Sequence, residues 1–572
     1  MPDYKMHESD LLIIGAGGAG MRAAISALGN GHNVNIVSKS LIGKAHTVMA
    51  EGGIAASVGD VDKDDNWTVH FADTVVEGVY IGNWRMAEIL AKDAPERVYE
   101  LERFGAVFDR TPDGKIMQRA FGGHTYRRLC HVGDKTGLEI IRTLEDKVLH
   151  TDTRIFDEVY ITKLFVRNGR FCSALGLEMR TGEFLLFKAK ALIIATGGCG
   201  RVYKITSNSW ESTGDGLALA YNAGAELMDM EMIQFHPTGM VWPPGAKGLL
   251  VTESVRGEGG ILLNSKHERF MLRYSPEKKE LDARDVVARA NYYEIKAGRC
   301  GPHGGVYLDI SHKGRGFIMK KLPGMYSQFK EFAGVDITKE AMEVAPTVHY
   351  QMGGIRVNPY TCATSVEGIF AAGEVASGLH GANRLGGNSL ADILVFGKLA
   401  GDGATEWMDG KEIVVPDESE VAKEIGRVRN FIRNGLNPYD LIDELASVMQ
   451  NYMGIVRNGD DMRKAIDLIG NIRKRSEDIG VSGGLKYNHG LLGCLELQNM
   501  LVACESISVS ANIREESRGA HTRSDFPKRR SEWKVNIVCR KNGENLSTKI
   551  VRVEEIPEEL AKYVKPEVYE NG

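Results

Sequence analysis

The chain has 572 residues, 43% of them hydrophobic and 26% charged, a composition typical of a folded protein with several domains. Its 71 lysines and arginines nearly balance 76 aspartates and glutamates, and a formal charge of -5 gives no reason to expect a nucleic-acid partner. No apolar run approaches the ~20 residues that span a bilayer, and the start "MPDYKMHESD" lacks the basic region of a signal peptide. We therefore expect a cytoplasmic chain without direct membrane insertion.

Residues 9–39 predict a strand, a tight turn, a helix and a second strand. The apolar run Leu11–Ile14 suits a buried parallel strand, and "GAGGAG" at 15–20 forms the turn. A helix over 21–28 and a strand over 34–37 follow. This order is that of a βαβ unit.

The glycines of the turn point to a dinucleotide. Gly15 permits the sharp bend, Gly17 lets the backbone approach a pyrophosphate, and Gly20 lets the helix pack on the strand. The phosphates would then lie at the N-terminus of the helix. The second strand ends at Ser38 and Lys39 instead of the usual acidic residue, so the motif alone leaves FAD, NAD and NADP open.

Two more apolar strands end in glycine turns much later, at "ALIIATGGCG" (191–200) and "GIFAAGEVASG" (368–378). Their spacing predicts one nucleotide-binding domain assembled from separated pieces of chain. The fold class is thus α/β: a Rossmann-like domain with an inserted α+β domain and a C-terminal helical domain. We predict the nucleotide-binding domain at 1–236 and 346–411, the inserted domain at 237–345, the helical domain at 412–530, and a small C-terminal region at 531–572 that holds a strand pair and an exposed end.

Several polar side chains are poorly explained by a core or a solvated surface. A site for a small dianion needs donors for each carboxylate, and arginine and histidine suit that task. Taken singly, each has a structural explanation, such as a local ion pair between Glu253 and Arg256. Taken together, beside glycine-rich segments, they predict a site. They are His236, Thr252, Glu253, Arg256, Arg284, His349 and Arg384.

The cysteines and one histidine are less informative. The eight cysteines are scattered and form no CxxC pair, so we expect neither an iron-sulfur cluster nor a metal site in this chain. His46 lies in the glycine-rich stretch "GKAHTVMAEGG", and alone it would be interpreted as a solvated turn residue.

Six stretches carry a family resemblance: "GKAHTVMAEGG", "QFHPTG", "VTESVRGEGGILLN", "RDVVARA", "HYQMGG" and "HGANRLGGNSL". They resemble the flavoprotein subunit of succinate dehydrogenase and fumarate reductase. The resemblance extends to "ESRGAHTRSDFP" in the helical domain, so only the C-terminal tail is left out. Motifs this numerous, in this order, are highly specific.

The resemblance implies that the nucleotide-binding domain binds FAD and that the inserted domain is a capping domain. It also implies a covalent bond between the ring of His46 and the 8α carbon of the flavin, and it accounts for Ser38 and Lys39, which match the family at that position. The implied FAD contacts are Gly15, Gly17, Gly18, Gly20, Ser38, Lys39, His46, Thr47, Gly53, Asp215, Glu374, Ser389 and Leu390.

The same resemblance implies a succinate and fumarate site. His236 and Thr252 would hold one carboxylate, and His349 and Arg384 the other. Hydride would pass between the substrate and the flavin, in either direction.

The proton is assigned by resemblance to Arg284, relayed through Arg256 and Glu253. An arginine with a pKa above ~12 is an unusual acid and base, and a dry site crowded with cations would lower that barrier.

Two other functions stay open at this point. L-aspartate oxidase shares the architecture, and "FGGHTYRRLCHVGDKTG" (121–137) resembles it. That oxidase has a glutamate before the glycine pair to meet the substrate ammonium, whereas Phe121 suits an unsubstituted methylene, and we expect it to contact the substrate. The oxidase also lacks the covalent link implied for His46. The second alternative is an FAD electron-transfer subunit with no substrate of its own, which would not need the arginines and histidines.

Electrons must leave through another chain, because this one has no cluster cysteines. The resemblance implies a separate iron-sulfur subunit, with or without a further quinone- or thiol-reactive subunit, which would place the chain at the cytoplasmic face of a membrane. The basic run "FPKRRSEWK" (526–534) is either a docking surface or a solvated stretch. The physiological direction stays open, because one site catalyses both.

Overall fold

The N-terminal part of the chain is built around a large central sheet. The computed structural model describes residues 3–569. The helices of this part are α1 (Gly18–Gly29), α2 (Trp67–Glu77), α3 (Trp84–Arg103), α4 (Thr136–Leu149) and α5 (Asp215–Asn222). The strands are β1 (Tyr4–Ile14), β2 (Val34–Val37), β3 (Ile54–Ala55), β4 (Gln118–Arg119), β5 (Leu129–Cys130), β6 (Arg154–Phe156), β7 (Val159–Arg167), β8 (Arg170–Glu178), β9 (Phe184–Ile194) and β10 (Leu227–Met228).

The predicted βαβ unit is present in β1, α1 and β2. The apolar end of β1 pairs in parallel with β2 on one side and with the end of β9 on the other. These segments are buried, which explains their nearly continuous apolar sequences. β1 begins at Tyr4, earlier than the apolar run, because its first residues pair with β9 although several of them are exposed.

The segment that follows forms an antiparallel sheet with helices, called here the cap. Its helices are α6 (Ser254–Gly257), α7 (Met271–Tyr274), α8 (Arg284–Lys296), α9 (Arg315–Lys321) and α10 (Pro323–Phe332). Its strands are β11 (Ile233–Met240), β12 (Ile261–Leu263), β13 (Val306–Asp309) and β14 (Met342–Gln351), in the order β11-β14-β13-β12. The predicted borders at 236/237 and 345/346 fall inside β11 and β14, which pair with each other. A strand pair therefore joins the cap to the rest, and the division of the chain into domains stays a prediction.

After the cap the chain returns to the central sheet. The elements are β15 (Gly354–Arg356), β16 (Ile369–Ala371), β17 (Ala376–Ser377) and α11 (Asn388–Met408). Six strands of the central sheet follow the order β6-β2-β1-β9-β8-β7. β16 is the seventh strand and pairs in parallel with β9. Separated pieces of chain thus form one sheet, as the recurring glycine turns predicted. α1, α3, α4 and α11 share one apolar core on it.

The C-terminal part contains long helices and a strand pair. Its helices are α12 (Glu418–Arg429), α13 (Pro438–Tyr452), α14 (Gly459–Arg475), α15 (His489–Ile513) and α16 (Glu558–Ala561). Its strands are β18 (Val456–Arg457), β19 (Thr522–Arg523), β20 (Val535–Asn542) and β21 (Asn545–Arg552). β20 pairs with β21, as predicted, and also with β10 of the first part.

The end after the strand pair is exposed at most of its described residues, as expected, but one apolar stripe on it is covered. Ile556, Leu560 and Val564 pack against Phe71 and Ala91 of α2 and α3. These three apolar residues recur every fourth position, and such a stripe is stable only when another surface covers it. The tail is therefore tied to the N-terminal part.

We predict that G20A destabilises the chain and lowers its cofactor content. A Cβ at Gly20 would lie 1.9 Å from the backbone oxygen of Gly15, so α1 would have to move away from the turn. Overpacking of this kind costs about 1–3 kcal/mol or more. The measurement is the apparent Tm together with the flavin content of the purified chain.

G29A is the matched control, because a Cβ at Gly29, on the same helix, meets nothing within 4 Å. Replacing a helical glycine with alanine raises stability by up to about 1 kcal/mol. Equal behaviour of the two variants would contradict the packing role of Gly20.

Candidate functional site

One cleft connects the glycine turn after β1 with the joint between the cap and the central sheet. About 1600 Å³ of space there is free of protein atoms, and part of it is open to solvent. Of the predicted site residues, all but Gly20 and Arg256 line it. The predicted cofactor contacts on its wall are Gly15, Gly17, Gly18, Ser38, Lys39, His46, Thr47, Gly53, Asp215, Glu374, Ser389 and Leu390. The predicted substrate and proton-handling residues on it are Phe121, His236, Thr252, Glu253, Arg284, His349 and Arg384.

The turn at one end of the cleft fits a pyrophosphate. Gly15 has φ +110°, and a Cβ there would lie 2.2 Å from the oxygen of Ala195. α1 begins directly after Gly17, and no side chain in the described part of the chain caps its first N–H groups. Gly17 and Gly18 line the cleft, so these donors and the positive end of the helix dipole are available to an anion there.

Lys39 is held between two carboxylates in the same region. Its Nζ lies 2.8 Å from Oδ2 of Asp215 and 2.7 Å from Oε1 of Glu496. Tyr160 donates to Oδ1 of Asp215 at 2.8 Å. Burial alone would lower the pKa of Lys39, but the two carboxylates outweigh it and raise the pKa. Because its charge is already paired, Lys39 does not favour the extra phosphate of NADP.

His46 begins a short 3-10 helix over His46–Met49. Nδ2 of Asn208 donates to its Nε2 at 3.0 Å, and the N–H of Ser209 faces its Nδ1 at 3.4 Å. The orientation of the Asn208 amide is fixed, because Nδ2 also donates to the oxygen of His349. Burial, and then Arg384, lower the pKa of His46 to about 4. The ring is therefore neutral at pH 7. A donor from Asn208 or Ser209 faces each of its two nitrogens, although a neutral imidazole can accept a hydrogen bond at only one of them.

Two further histidines face each other at the other end of the cleft. The ring centroids of His236 and His349 are 5.2 Å apart. Nε2 of His236 lies 3.1 Å from the oxygen of Val251, while its Nδ1 has no hydrogen-bond partner within residues 3–569. Nδ1 of His349 lies 2.9 Å from Oγ of Ser207. Burial holds the pKa of both rings well below the usual value.

Two buried arginines share one neutral acceptor beside the histidines. Nη1 of Arg284 and Nη2 of Arg384 donate to Oε1 of Gln234 at 3.1 and 3.0 Å. Arg284 also donates through Nε to Oε2 of Glu253 at 2.7 Å. The guanidinium of Arg384 lies 4.3 Å from the centre of the Tyr350 ring. Burial, and then Arg284, lower the pKa of Arg384 to about 9. Such a pair of crowded cations is suited to a dianion.

The third arginine lies behind this pair. Nη2 of Arg256 is 3.5 Å from Oε2 of Glu253, and its Nη1 donates to the backbone oxygen of Glu280. Burial alone would raise the pKa of Glu253, but Arg284 and Arg256 outweigh it and lower the pKa to about 2. Arg284, Glu253 and Arg256 therefore contact one another in the predicted sequence. The side chain of Arg256 is completely buried and does not reach the cleft.

The structure adds residues that the sequence did not point out. Gln234 lies two residues before His236 on β11, and alternate residues of a strand share a face, so its position was a usable signal. Glu51 stands in the same glycine-rich stretch as His46 and lines the cleft. Glu496 comes from the distant helix α15, and nothing in the local sequence indicates its pairing with Lys39.

Comparisons with known proteins cover nearly the whole chain. Residues 10–390 match the family model described as FAD binding domain, and residues 442–568 match the model described as Fumarate reductase flavoprotein C-term. The chain is 47% identical over 545 residues to one subunit of the fumarate reductase (CoM/CoB) of Methanothermobacter marburgensis, with 95% of this chain and 99% of that protein covered.

Solved structures agree with this match. A chain of the Mycobacterium smegmatis Sdh1 structure in complex with UQ1 has a TM-score of 0.88 at 47% identity, with 98% of this chain and 99% of that chain covered. An E. coli quinol fumarate reductase structure, FrdA, has a TM-score of 0.92 at 34% identity, with 99% of both chains covered. The chain belongs to the succinate dehydrogenase and fumarate reductase flavoprotein family. It is an FAD-binding oxidoreductase.

In this flavoprotein an apolar ring closes one side of the cleft. Phe121 is buried, and a Cβ at Gly52 or at Gly386 would lie 2.7 Å from its ring. The two glycines thus let the ring lie against the backbone. The side chain at position 121 itself therefore offers no carboxylate to an ammonium group.

Glu51 is a carboxyl group in the same cleft. Its Oε2 has no hydrogen-bond partner within the described ranges, and its side chain contacts Thr252 of the cap. Burial, and then Asp134, raise the pKa of Glu51 to about 8. The group is therefore neutral at pH 7 and becomes a third negative charge beside a bound dianion above pH 8.

We predict that malonate binding to the FAD-loaded chain weakens above pH 8 and that E51Q removes this loss. Ionised Glu51 repels the dianion, so the dissociation constant rises by about tenfold per pH unit where binding requires the protonated form. In E51Q the rise begins only near pH 9, where Arg384 loses its proton. The measurement is a malonate titration of the flavin absorbance at several pH values.

E211Q is the control, because Glu211 also lines the cleft but stands beside Lys39. The malonate dissociation constant of E211Q should depend on pH as that of the wild type does. An unchanged pH dependence in E51Q would contradict the role given to Glu51.

Proposed function

We propose that this flavoprotein interconverts succinate and fumarate, with FAD bonded covalently to His46. The observation that carries the proposal is the pair Arg284 and Arg384, which share Gln234 in the cleft that also contains the dinucleotide turn. A C4 dicarboxylate matches this charge, and the neighbouring histidines supply further donors. The relatives named above support the same substrate class.

Four residues hold the carboxylates in this proposal. His236 and Thr252 hold one, and His349 and Arg384 hold the other. Burial lowers the pKa of both histidines in the free chain, and the charge of a bound dianion opposes that shift. Anion binding and histidine protonation therefore support each other.

Arg284 handles the proton at the substrate carbon. Glu253 accepts from Arg284 and lies 3.5 Å from Arg256, so it can pass charge between the two arginines. The crowding of cations supports this role, because each positive neighbour makes loss of a proton from the next one easier. Bound FAD supplies the hydride acceptor or donor.

The covalent link is supported by the state of His46. A bond to carbon needs a ring nitrogen with a free electron pair, and the lowered pKa keeps that pair available at pH 7. Both ring nitrogens face donors, and a neutral imidazole can accept at only one of them. A bond from Nε2 to the 8α carbon would replace a C–H bond there and release the ring proton, the flavin itself taking up the electron pair, and it would leave Nδ1 to accept from the N–H of Ser209. The tether would prevent loss of the cofactor.

Phe121 argues against the L-aspartate oxidase alternative. The ammonium of aspartate would meet an apolar ring there, and a buried cation without a partner is costly. The electron-transfer alternative leaves the buried arginine pair unexplained, since two desolvated cations need a ligand to repay their burial.

We further propose that the electron partner is a separate iron-sulfur subunit, either by itself or with a quinone- or thiol-reactive subunit, and that these partners place the chain at the cytoplasmic face of a membrane. Among residues 3–569, none of the helices has the length and apolar character needed to cross a membrane. Nor do the described residues contain a group of three or more side chains placed to hold a metal ion.

The basic run at 526–534 receives little support as the docking surface. Arg530 pairs with Glu532, and Arg529 and Lys534 lie within 3.8 Å of Glu567. These charges are used within the chain, which favours the interpretation as an ordinary charged surface.

We predict that acid precipitation of the wild-type chain leaves the flavin absorbance in the pellet, whereas H46A releases it to the supernatant. Only a covalent bond survives unfolding in acid, and H46A removes the attachment point. H489A is the control, because His489 lines a neighbouring surface pocket and not the cleft. Flavin in the wild-type supernatant would exclude the tether.

We predict that wild type oxidises succinate with an artificial acceptor and that R284K loses turnover while it keeps its flavin. Removal of a group that transfers a proton costs about 10²–10⁴-fold in rate. Turnover of succinate, fumarate and L-aspartate is measured for each variant, together with flavin content.

R273K is the control, because Arg273 pairs with Glu294 in the cap and does not line the cleft. Near-normal turnover in R284K would remove the proton role. Turnover of L-aspartate instead of succinate by the wild type would replace the proposed function.

A further inference from the structure

A chain of side-chain amides lies behind the arginine pair. Gln234 accepts from both arginines through Oε1, and its Nε2 donates to Oδ1 of Asn383 at 2.9 Å and to the backbone oxygen of Arg384 at 2.9 Å. The backbone oxygen of Arg384 can only accept a hydrogen bond, so the NH2 group of Gln234 must face it and the side-chain oxygen of Gln234 must face the arginines. Gln234 and Asn383 are both fully enclosed.

Asn383 continues the chain to two carboxyl groups. Its Nδ2 donates to Oε1 of Glu77 at 2.8 Å and to Oδ1 of Asp285 at 3.0 Å. Burial, and then the nearby Asp285, raise the pKa of Glu77 well above its usual value, so Glu77 keeps its proton to a higher pH than an ordinary carboxyl group. The NH2 group of Asn383 donates to both acidic side chains, and this position fixes the oxygen of Asn383 toward Gln234.

These contacts cross from one structural unit to another. Glu77 ends α2, and Asn383 precedes α11, so both belong to the part built on the central sheet. Arg284 and Asp285 are consecutive residues in the first turn of α8 in the cap. That turn is therefore held at two points, by Arg284 on Gln234 and by Asp285 on Asn383. No side chain of the described ranges caps the start of α8, so its first turn is held by these two bonds together with that of Arg284 to Glu253.

We propose that Asn383 is a positioning residue, which sets where the cap presents Arg284 to the substrate. It acts through Asp285 and Gln234 and touches neither substrate nor cofactor. The inference rests on the proposed role of Arg284 in proton transfer. Loss of the amide removes the donor that Glu77 and Asp285 share and the oxygen that accepts from Gln234, so the first turn of α8 is no longer held at Asp285.

The expected effect is on turnover more than on binding. A displacement of about 1 Å in a reacting group costs up to about 100-fold in rate, so N383A should lower kcat by about 10- to 100-fold. Of the four residues proposed to hold the carboxylates, His236, Thr252 and His349 lie outside the amide chain. The fourth, Arg384, keeps its bonds to Gln234 and Ser389 in N383A, so the malonate dissociation constant should stay within about threefold of wild type.

N536A is the matched control. Asn536 is also a buried asparagine whose Nδ2 donates to a carboxylate, Oδ2 of Asp229 at 2.6 Å, and to a carbonyl, that of Ile81. It lies on β20, outside the cleft. N536A should lower the Tm without a change in kcat, which separates a loss of stability from a loss of positioning.

A swap of donor and acceptor provides the second test. N383D places an acidic group against Asp285 and should lose turnover. Adding D285N restores a bond between an amide and a carboxylate, with the donor now at position 285 and the acceptor at position 383. Because the two sites are coupled, the double variant N383D with D285N should have a kcat at least about fivefold above that of N383D alone. D285N alone is measured alongside, since it also removes the pair with Arg289.

The FAD-loaded full chain is assayed for kcat, KM, malonate binding and amide hydrogen exchange in α8. Three results together support the inference. Amide exchange at the first turn of α8 is faster in N383A but not in N536A, kcat falls in N383A but not in N536A, and kcat recovers in the swap. Wild-type kcat in N383A, equal losses in N383A and N536A, or no recovery in the swap overturns it. If N383A does not fold, the swap decides. Absence of succinate or fumarate turnover in the wild type instead rejects the proposed function, so the two failures are distinguishable.

Discussion

The cleft is dominated by the cost of burying positive charge. Arg256, Arg284 and Arg384 lie within it or directly behind it, and in the described part of the chain Glu253 is the only ionised carboxylate in contact with two of them. Three arginines against one carboxylate leave two positive charges uncompensated. Burial, and then the positive charge of Arg284, lower the pKa of Arg384 to about 9. A dianion would balance the charge, which explains why neutral side chains such as Gln234 and Tyr350 fill the remaining places around the guanidinium groups.

The fold brings this charge to the cofactor site because the chain leaves and re-enters the central sheet. β9 ends beside the glycine turn, and β16 returns next to it after the cap has been completed. The cleft therefore has the dinucleotide turn at one end and the cap at the other. Glu496 of α15 pairs with Lys39 on the wall of the cleft, so this helix of the C-terminal part supports the turn end.

The parts that could be predicted from sequence are those with local signals. The βαβ unit follows from apolar runs and glycines within a few residues of each other, and His236, His349 and Arg384 stand in distinctive glycine-rich stretches. The pairing of Lys39 with Glu496, and of Asn383 with Asp285, could not be predicted, because each joins segments that only the tertiary fold brings together. The covered tail was missed for the same reason: its apolar stripe is visible in sequence, but the surface of α2 and α3 that receives it is not.

The distribution of the site between the two units has a further consequence. His236 and His349 stand on β11 and β14, the strand pair that joins the cap to the rest, and β11 carries register shifts at Gln234 and beyond His236. Arg284 stands farther out, on α8 of the cap. Any change in the angle of the cap would displace Arg284 more than the two histidines, because displacement grows with distance from a hinge. The positions of His236 and His349 would thus depend less on the cap than those of Thr252 and Arg284, and the contacts of Asp285 and Gln234 with Asn383 lie where the cap meets the central sheet.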